Sequence, residues 1–403
     1  MSRADNRLES AISRSLVPPA VVLDVSFVNG LEAIRSLAHA GAPVIAIDHR
    51  RSALGFRSRL AHAVLAPDPA DEEAYVAFLD EFAARHLSEP AICFPTHDVP
   101  LAVVARNAAR LASYSLPGSG WSVLEQLQRK RYQYAIAQTV GVSSPRTFSP
   151  ASEQEVREAA AELTFPALIK PSDPIPFKRR YGRPVLVCAN VDELVAGWRE
   201  AGDAAPLVQE VIPGADDTLW TVGTYTSAEG RPLGVFCGRK LAQMPRGFGT
   251  CRIGEARWRD DAVEQALTLL EALGYHGIAQ TEFRFDERDG RLKLMEVNPR
   301  LWQWHGLARA CGVDLPRIAY LDAIGRPPAP VQSGPAHDGR RWVAAAAHLR
   351  ASRGEGQSLR SAVREVGRGA VEATFDLRDP LPALVQGAGL LTAPMLRRLR
   401  RSR

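Results

Sequence analysis

The chain has 403 residues, 46% of them hydrophobic and 24% charged, with a net charge of +5. That length exceeds one ordinary core, so two or three domains are expected. No apolar run reaches the length of a membrane helix, the first ten residues lack the apolar stretch of a secretion signal, and the five cysteines form no CxxC pair. These features weigh against a membrane-spanning protein, a disulfide scaffold and a zinc site, and make the cytoplasm the expected compartment. Much of the positive excess sits in Leu396–Arg403, and no nucleic-acid-binding motif accompanies it, so no nucleic-acid partner is expected.

Residues 1–18 read as a short helix or loose arm. Val21–Asp24 reads as a buried strand, Leu31–Ala38 has helical spacing, and Val44–Asp48 is the next strand. This unit implies a parallel pair with a right-handed crossover. Ala91–Phe94 is a further strand, followed by the turn Pro95-Thr-His-Asp98 and a helix over 101–111. Residues 20 to about 117 therefore form an open α/β domain, with ligand-facing loops at the carboxyl ends of its strands. Only one glycine follows the first strand, which argues against a dinucleotide fingerprint and a nicotinamide oxidoreductase.

Trp121–Val140 reads as one helix rich in Gln, Arg and Lys. Glu153–Leu163 is an amphipathic helix, and Phe165–Pro171 contains an apolar strand closed by Lys170. A lysine ending a buried strand is costly unless it meets an anion, and a phosphate suits a compact ammonium. Residues 172–183 form a basic, proline-containing loop, and Asn190 with Glu193 suggests a capping box that opens a helix to Ala201. Leu207–Ile212 is a strand that turns at Pro213-Gly214. Trp220–Thr226 and Pro232–Lys240 read as antiparallel strands, Gln243–Gly254 as a loop and Asp260–Leu273 as a helix, with Lys240 and Arg246 expected to face a substrate carboxylate or phosphate.

Ala279–Arg300 reads as a β-hairpin. Thr281, Phe283 and Phe285 alternate with Glu282, Arg284 and Asp286, and Asp289-Gly290 marks the turn. A three-residue loop, Arg288 to Gly290, sets Glu287 opposite Arg291, Phe283 opposite Met295, and Glu282 opposite Glu296. Two facing carboxylates need a proton, a cation or solvent. Asn298 shares the face of Glu296. Two carboxylates and an amide oxygen suit Mg²⁺. Beyond it, residues 326–339 read as a linker, and Arg341–Leu384 as a strand and helices packed on the main body. The tail is apolar then basic. It reads as a solvated terminus, with weak contact to an anionic membrane surface as the alternative.

The run Met295-Glu-Val-Asn-Pro-Arg300, with a glutamate one strand earlier, resembles the metal-binding hairpin of the ATP-grasp superfamily. The order of the other elements over residues 20–330 fits the same fold. The resemblance implies an α/β protein with an N-terminal open parallel domain (1–117), a two-lobed nucleotide-binding ATP-grasp domain (118–330) and a C-terminal extension (331–403). It also implies ATP held by Lys130, Lys170, Lys178, Gln209, Glu210, Val211, Ile212 and Asp217, with Asp216 as a neighbour of similar chemistry. Mg²⁺, with Mn²⁺ as substitute, would be held by Glu282, Glu296 and Asn298, and Arg300 would meet the transferred phosphoryl group. The loop 172–183 departs from the family's glycine-rich flap. The implied reaction joins a small-molecule carboxylate to an amine through an acyl phosphate. The alternatives are a carboxylase or carbamoyl-phosphate-type relative and a non-catalytic nucleotide-binding protein. The oligomeric state is not legible, and a homodimer is compatible with the resemblance.

Overall fold

The computed structural model describes residues 16–170, 185–202, 206–245, 247 and 249–387. Lys178, Arg246 and the basic tail lie outside these residues. No helix among the described residues is long and apolar enough to cross a membrane.

The N-terminal sheet is parallel, with order β3-β2-β1-β4-β5, built from β1 (Ala20–Leu23), β2 (Val44–Asp48), β3 (His62–Leu65), β4 (Ala91–Pro95) and β5 (Tyr114–Ser115). β1, β2 and β4 are buried throughout, which explains their continuous apolar runs. Sequence periodicity does not reveal β3, a four-residue edge strand of alternating exposure, or the helix Glu72–His86 behind it.

A small antiparallel sheet follows, with order β6-β9-β7-β8, from β6 (Thr147–Phe148), β7 (Ala167–Lys170), β8 (Leu186–Cys188) and β9 (Leu207–Glu210). Helices Glu153–Glu162 and Val191–Ala201 cover it, sharing a core around Val156, Ile169, Leu194 and Val208. Asn190 caps the second helix by accepting from the Glu193 N–H at 3.0 Å.

The large sheet has eight strands. They are β10 (Leu219–Thr226), β11 (Pro232–Met244), β12 (Thr250–Ala256), β13 (Gly277–Asp286), β14 (Arg291–Asn298), β15 (Val331–Gln332), β16 (Arg341–Val343) and β17 (Val371–Glu372). Their order is β14-β13-β10-β11-β12-β16-β17, and β15 pairs with β11. The expected loop over 243–254 is thus largely the end of β11 and the start of β12, two strands buried over most of their length. The expected linker over 326–339 holds β15, and the residues beyond it extend the same sheet with β16 and β17.

The hairpin differs from its expected register in an instructive way. Its loop has four residues, 287–290, so Asp286 faces Arg291 and Phe283 faces Leu294. A bulge at Met295 then restores the pairing of Glu282 with Glu296. The Leu294 N–H donates to the Ser143 carbonyl at 2.7 Å, and the Met295 carbonyl accepts from the Tyr134 hydroxyl at 2.9 Å. The bulge is therefore held by the helix and loop that precede the small sheet.

One core joins the N-terminal sheet to the large sheet. Ala33, Ile34 and Leu37 of the helix Val28–His39 belong to it, as do Phe236, Trp302, Trp304 and Leu307. Gly223 on β10 lies under Trp302, where an added Cβ would stand 2.0 Å from the ring. Gly223→Ala is expected to destabilise the protein by roughly 2–3 kcal/mol through overpacking, read as a lower midpoint in chemical denaturation.

Candidate active site

The cleft between the small sheet and the large one has a volume of about 860 Å³. Lys170, Gln209, Glu210, Val211 and Ile212 line it from one side, and Lys130, Glu282, Glu296, Asn298 and Arg300 from the other. The structure brings these ten expected residues together. Asp217 is exposed on a short 3₁₀ turn, Asp216–Thr218, and is not among the lining residues. Its neighbour Asp216 accepts from the backbone of Gln243 at 2.8 Å and of Gly247 at 3.0 Å, fastening the end of β11.

Lys130 opens a helix. The expected helix over 121–140 is two helices, Trp121–Gln128 and Lys130–Thr139, separated at Arg129 with φ −90° and ψ 100°. Gln133 bridges the break. Its amide donates to the Leu127 carbonyl at 2.6 Å and the Val297 carbonyl at 3.0 Å, and accepts from the Val297 N–H at 2.8 Å. This clamp sets the second helix on β14. Its first residue, Lys130, places Nζ 3.0 Å from Glu296 Oε2.

Each facing carboxylate has its own lysine. Lys240 on β11, which is buried, lies 2.7 Å from Glu282 Oε1. Expected at a substrate anion, Lys240 is paired in the structure with Glu282. Gln280 donates to the same Glu282 oxygen at 2.7 Å, and Asn298 donates to Glu296 Oε1 at 3.1 Å and to Gln280 Oε1 at 3.3 Å. Burial alone would raise the Glu296 carboxyl. The Lys130 and Lys170 ammoniums outweigh it and hold that carboxyl below the usual carboxylate range. Glu296 therefore stays ionised in a partly desolvated place. Two carboxylates and an amide on adjacent strands match the hard oxygen donors that Mg²⁺ takes, with water and phosphate oxygens completing its shell.

Lys170 is in the opposite condition. Burial first, and then the neighbouring Lys130, push its ammonium well below the usual lysine range. Its Nζ donates to the Tyr134 hydroxyl at 3.3 Å. An anion in the cleft relieves both burdens.

Arg300 reaches across to the N-terminal sheet. Its Nε and Nη2 donate to the two carboxylate oxygens of Asp98 at 2.7 and 2.9 Å. Asp98 opens the helix after β4, so a bidentate pair ties the hairpin to the N-terminal domain. Reading the chain left Asp98 as one of several loop residues, because nothing local marks its partner 202 positions away. Gln280 was legible in principle, since it stands two residues before Glu282 on the same strand face. His305 is buried, and its Nε2 lies 3.0 Å from the Asn29 carbonyl.

Glu210 ends β9. Its carboxylate accepts from the Arg146 N–H at 2.9 Å and from the Arg288 guanidinium at 3.3 Å. Gln209 donates to the Thr147 hydroxyl at 2.7 Å. Arg284 donates to the Ile212 carbonyl at 3.1 Å, joining the segment that follows β9 to the hairpin. These bonds fix the wall formed by 209–212.

The family described as carbamoyl-phosphate synthase L chain, ATP binding domain, matches residues 255–327, which include the whole hairpin. A D-aspartate ligase of Enterococcus faecium is 23% identical over 239 residues, covering 56% of this chain and 57% of that protein. The chain thus spans little more than half of that relative. Among solved structures, the biotin carboxylase domain of Hydrogenobacter thermophilus 2-oxoglutarate carboxylase, in complex with MgADP, ADP and bicarbonate, superposes with a TM-score of 0.62 at 17% identity, covering 81% of this chain and 73% of that one. An L-amino acid ligase from Bacillus licheniformis gives 0.59 at 17% identity, covering 79% and 76%.

Lys170→Met is expected to raise thermal stability by roughly 2 °C while weakening nucleotide binding at least about tenfold. The sign follows from its depressed native ionisation. The cost to stability is full below that depressed value and fades as pH rises toward the ordinary lysine range. Nucleotide affinity is expected to move the other way, falling as pH rises through that interval, and the Met variant loses this dependence. Titration calorimetry at several pH values checks it.

Proposed function

Because the chain is a member of the ATP-grasp superfamily, we propose that it is an ATP- and Mg²⁺-dependent ligase that joins a small-molecule carboxylate to an amine. The observation that carries this reading is the convergence of Glu282, Glu296 and Asn298 with Lys130, Lys170 and Arg300 on one cleft. In the proposed reaction a carboxylate oxygen attacks the γ-phosphorus of ATP, the bond to the bridging oxygen breaks, and ADP leaves. The amine nitrogen then attacks the acyl carbon, phosphate leaves, and the nitrogen loses a proton.

A bound Mg²⁺ supplies charge neutralisation at the phosphates, with Mn²⁺ as the expected substitute, and Glu282, Glu296 and Asn298 would hold it. The protein's own part is to bring anions together. Lys170 and Lys130 offset phosphate charge, and Arg300 offers a planar donor pair to a phosphoryl or carboxylate group once Asp98 gives it up. Gln209 to Ile212 form the wall against which the adenine would lie, with Asp217 at the rim for the ribose. Lys178 belongs to the same reading as a phosphate contact. In this reading the chain divides at 1–117, 118–330 and 331–403, and works in the cytoplasm. The likeness to a domain solved with bicarbonate supports one further reading, in which bicarbonate is the acid.

Glu296→Gln is expected to lower turnover at least about a thousandfold with thermal stability changed by only a few degrees. Steady-state assay with unfolding by circular dichroism checks both. Undiminished turnover in a folded variant contradicts the assignment.

A further inference from the structure

The proposed reaction leaves one task unassigned, the removal of a proton from the amine. The carboxylates that line the cleft are all engaged, Asp98 with Arg300, Glu210 with Arg146 and Arg288, Glu282 with Lys240 and Glu296 with Lys130. No histidine is among the lining residues. The turn Pro95-Thr-His-Asp98 gives the cleft Asp98, and the residue just before it is His97.

His97 lies at the carboxyl ends of β1 and β4. These strands are neighbours in the sheet although β2 and β3 separate them in the chain. Open parallel sheets take ligands in the crevice at such a switch point. Asp24 and Ser26 follow β1 here, Asp48 ends β2, and Thr96 and His97 follow β4. Ser26 donates to Asp48 Oδ2 at 2.9 Å and the Arg50 N–H to its Oδ1 at 2.8 Å. Asp24 Oδ1 is buried and has no hydrogen-bond partner among the described residues.

The bonds around His97 select its tautomer. Thr96 spends its one hydroxyl proton on the Asp24 carbonyl. Toward the ring its oxygen is therefore an acceptor, 3.0 Å from His97 Nδ1. Asp24 Oδ2, a second acceptor, lies 3.3 Å from the same nitrogen. Nδ1 thus carries the proton and Nε2 the lone pair. No hydrogen bond reaches Nε2 among the described residues. The ring lies against Phe27 with centroids 5.3 Å apart, and its side chain is 30% exposed. Burial lowers the imidazole from its ordinary range and Arg300 adds to this, while Asp24, Asp98 and Asp48 work against it. The ring is therefore neutral, and basic at Nε2, at neutral pH.

We propose that His97 is the general base for the amine and Asp24 its positioning residue, an inference that rests on the ligase reading. An amine at neutral pH is an ammonium, whose nitrogen has no lone pair. Nε2 takes one of its protons, and the Asp24 carboxylate holds the imidazolium that forms. The freed nitrogen attacks the acyl carbon. The bond from that carbon to the phosphate oxygen breaks with its electron pair, and the departing phosphate takes the nitrogen's second proton. Asp24 and Asp48 make the strand ends suited to a cationic amine. Asp98, the next residue, carries Arg300, so base and phosphoryl contact meet at one turn.

Hydroxylamine provides the test, because it is uncharged at neutral pH and attacks acyl phosphates without a base. The full chain is incubated with Mg-ATP, pooled amino acids and dicarboxylates, and either hydroxylamine or pooled primary amines, and hydroxamate and amide are read by mass spectrometry. His97→Asn keeps a donor for Asp24 and Thr96. It is expected to lower amide formation at least about a hundredfold at neutral pH and to leave hydroxamate formation within about threefold. The amide deficit shrinks as pH rises, because solvent then deprotonates the amine. Asp24→Asn, which tolerates the φ of 62° at that position, is expected to lower amide formation about tenfold and to move its acidic limb to lower pH, since the charge that raises the imidazole is gone. Equal loss of amide and hydroxamate in His97→Asn, or undiminished amide formation, overturns the inference while wild-type hydroxamate upholds the ligase reading. Wild-type protein that forms no hydroxamate from any acid overturns the ligase reading and this inference with it.

Discussion

Glu282 and Glu296 stand opposite each other across β13 and β14, a placement that costs free energy unless positive charge meets it. Much of the cleft follows from that requirement. Lys240 comes from β11 to one carboxylate and Lys130 from a helix start to the other. Gln280 and Asn298 donate to the remaining positions. The result is a constellation near balance without a ligand and able to rearrange when a cation takes the carboxylates. In the proposed reaction both lysines, released from them, would donate to phosphate oxygens. Lys170, buried and crowded by Lys130, is biased toward an anion in the same way.

Holding the pair in register takes more than a hairpin. The four-residue loop alone would set Glu296 out of line with Glu282, and the bulge at Met295 corrects it. That bulge is fastened by Tyr134 and Ser143, and β14 by Gln133, all from the segment that also delivers Lys130. The facing carboxylates and Lys130 are therefore one mechanical unit. The bidentate pair of Arg300 with Asp98 then joins this unit to the N-terminal sheet, and the shared core around Trp302 and Trp304 fixes the angle between them. A substrate anion that reaches Arg300 competes with Asp98, so substrate choice at this end of the cleft is tied to the domain interface.

Much of this was legible in the chain. The buried strands β1, β2 and β4 announce themselves by continuous apolar runs, and β13 by alternation. Glu282, Glu296, Asn298 and Arg300 stand in a run whose spacing carries chemistry, and Lys170 by its cost at the end of a buried strand. What was not legible depends on distance. Asp98 gains its meaning from a residue on another domain. The break at Arg129 is written in Gln133, whose partners, Leu127 and Val297, lie on two different elements. Strands β15 to β17 are two or three residues long and are strands only because β11, β12 and, in turn, β16 offer them partners. The correct facing of Glu282 and Glu296 was reached through a loop one residue too short, an error that the unseen bulge cancelled.

The central claim is that this cleft transfers the γ-phosphoryl group of ATP to a carboxylate. Nucleotide product analysis tests it most directly. The protein is incubated with Mg-ATP and pooled carboxylates and amines, and ADP is separated from AMP. ADP and phosphate, formed only when a particular acid and amine are both present, is the predicted result. AMP with pyrophosphate would contradict it, because the acid would then be activated by adenylation and Arg300 and the lysines would be serving a different leaving group.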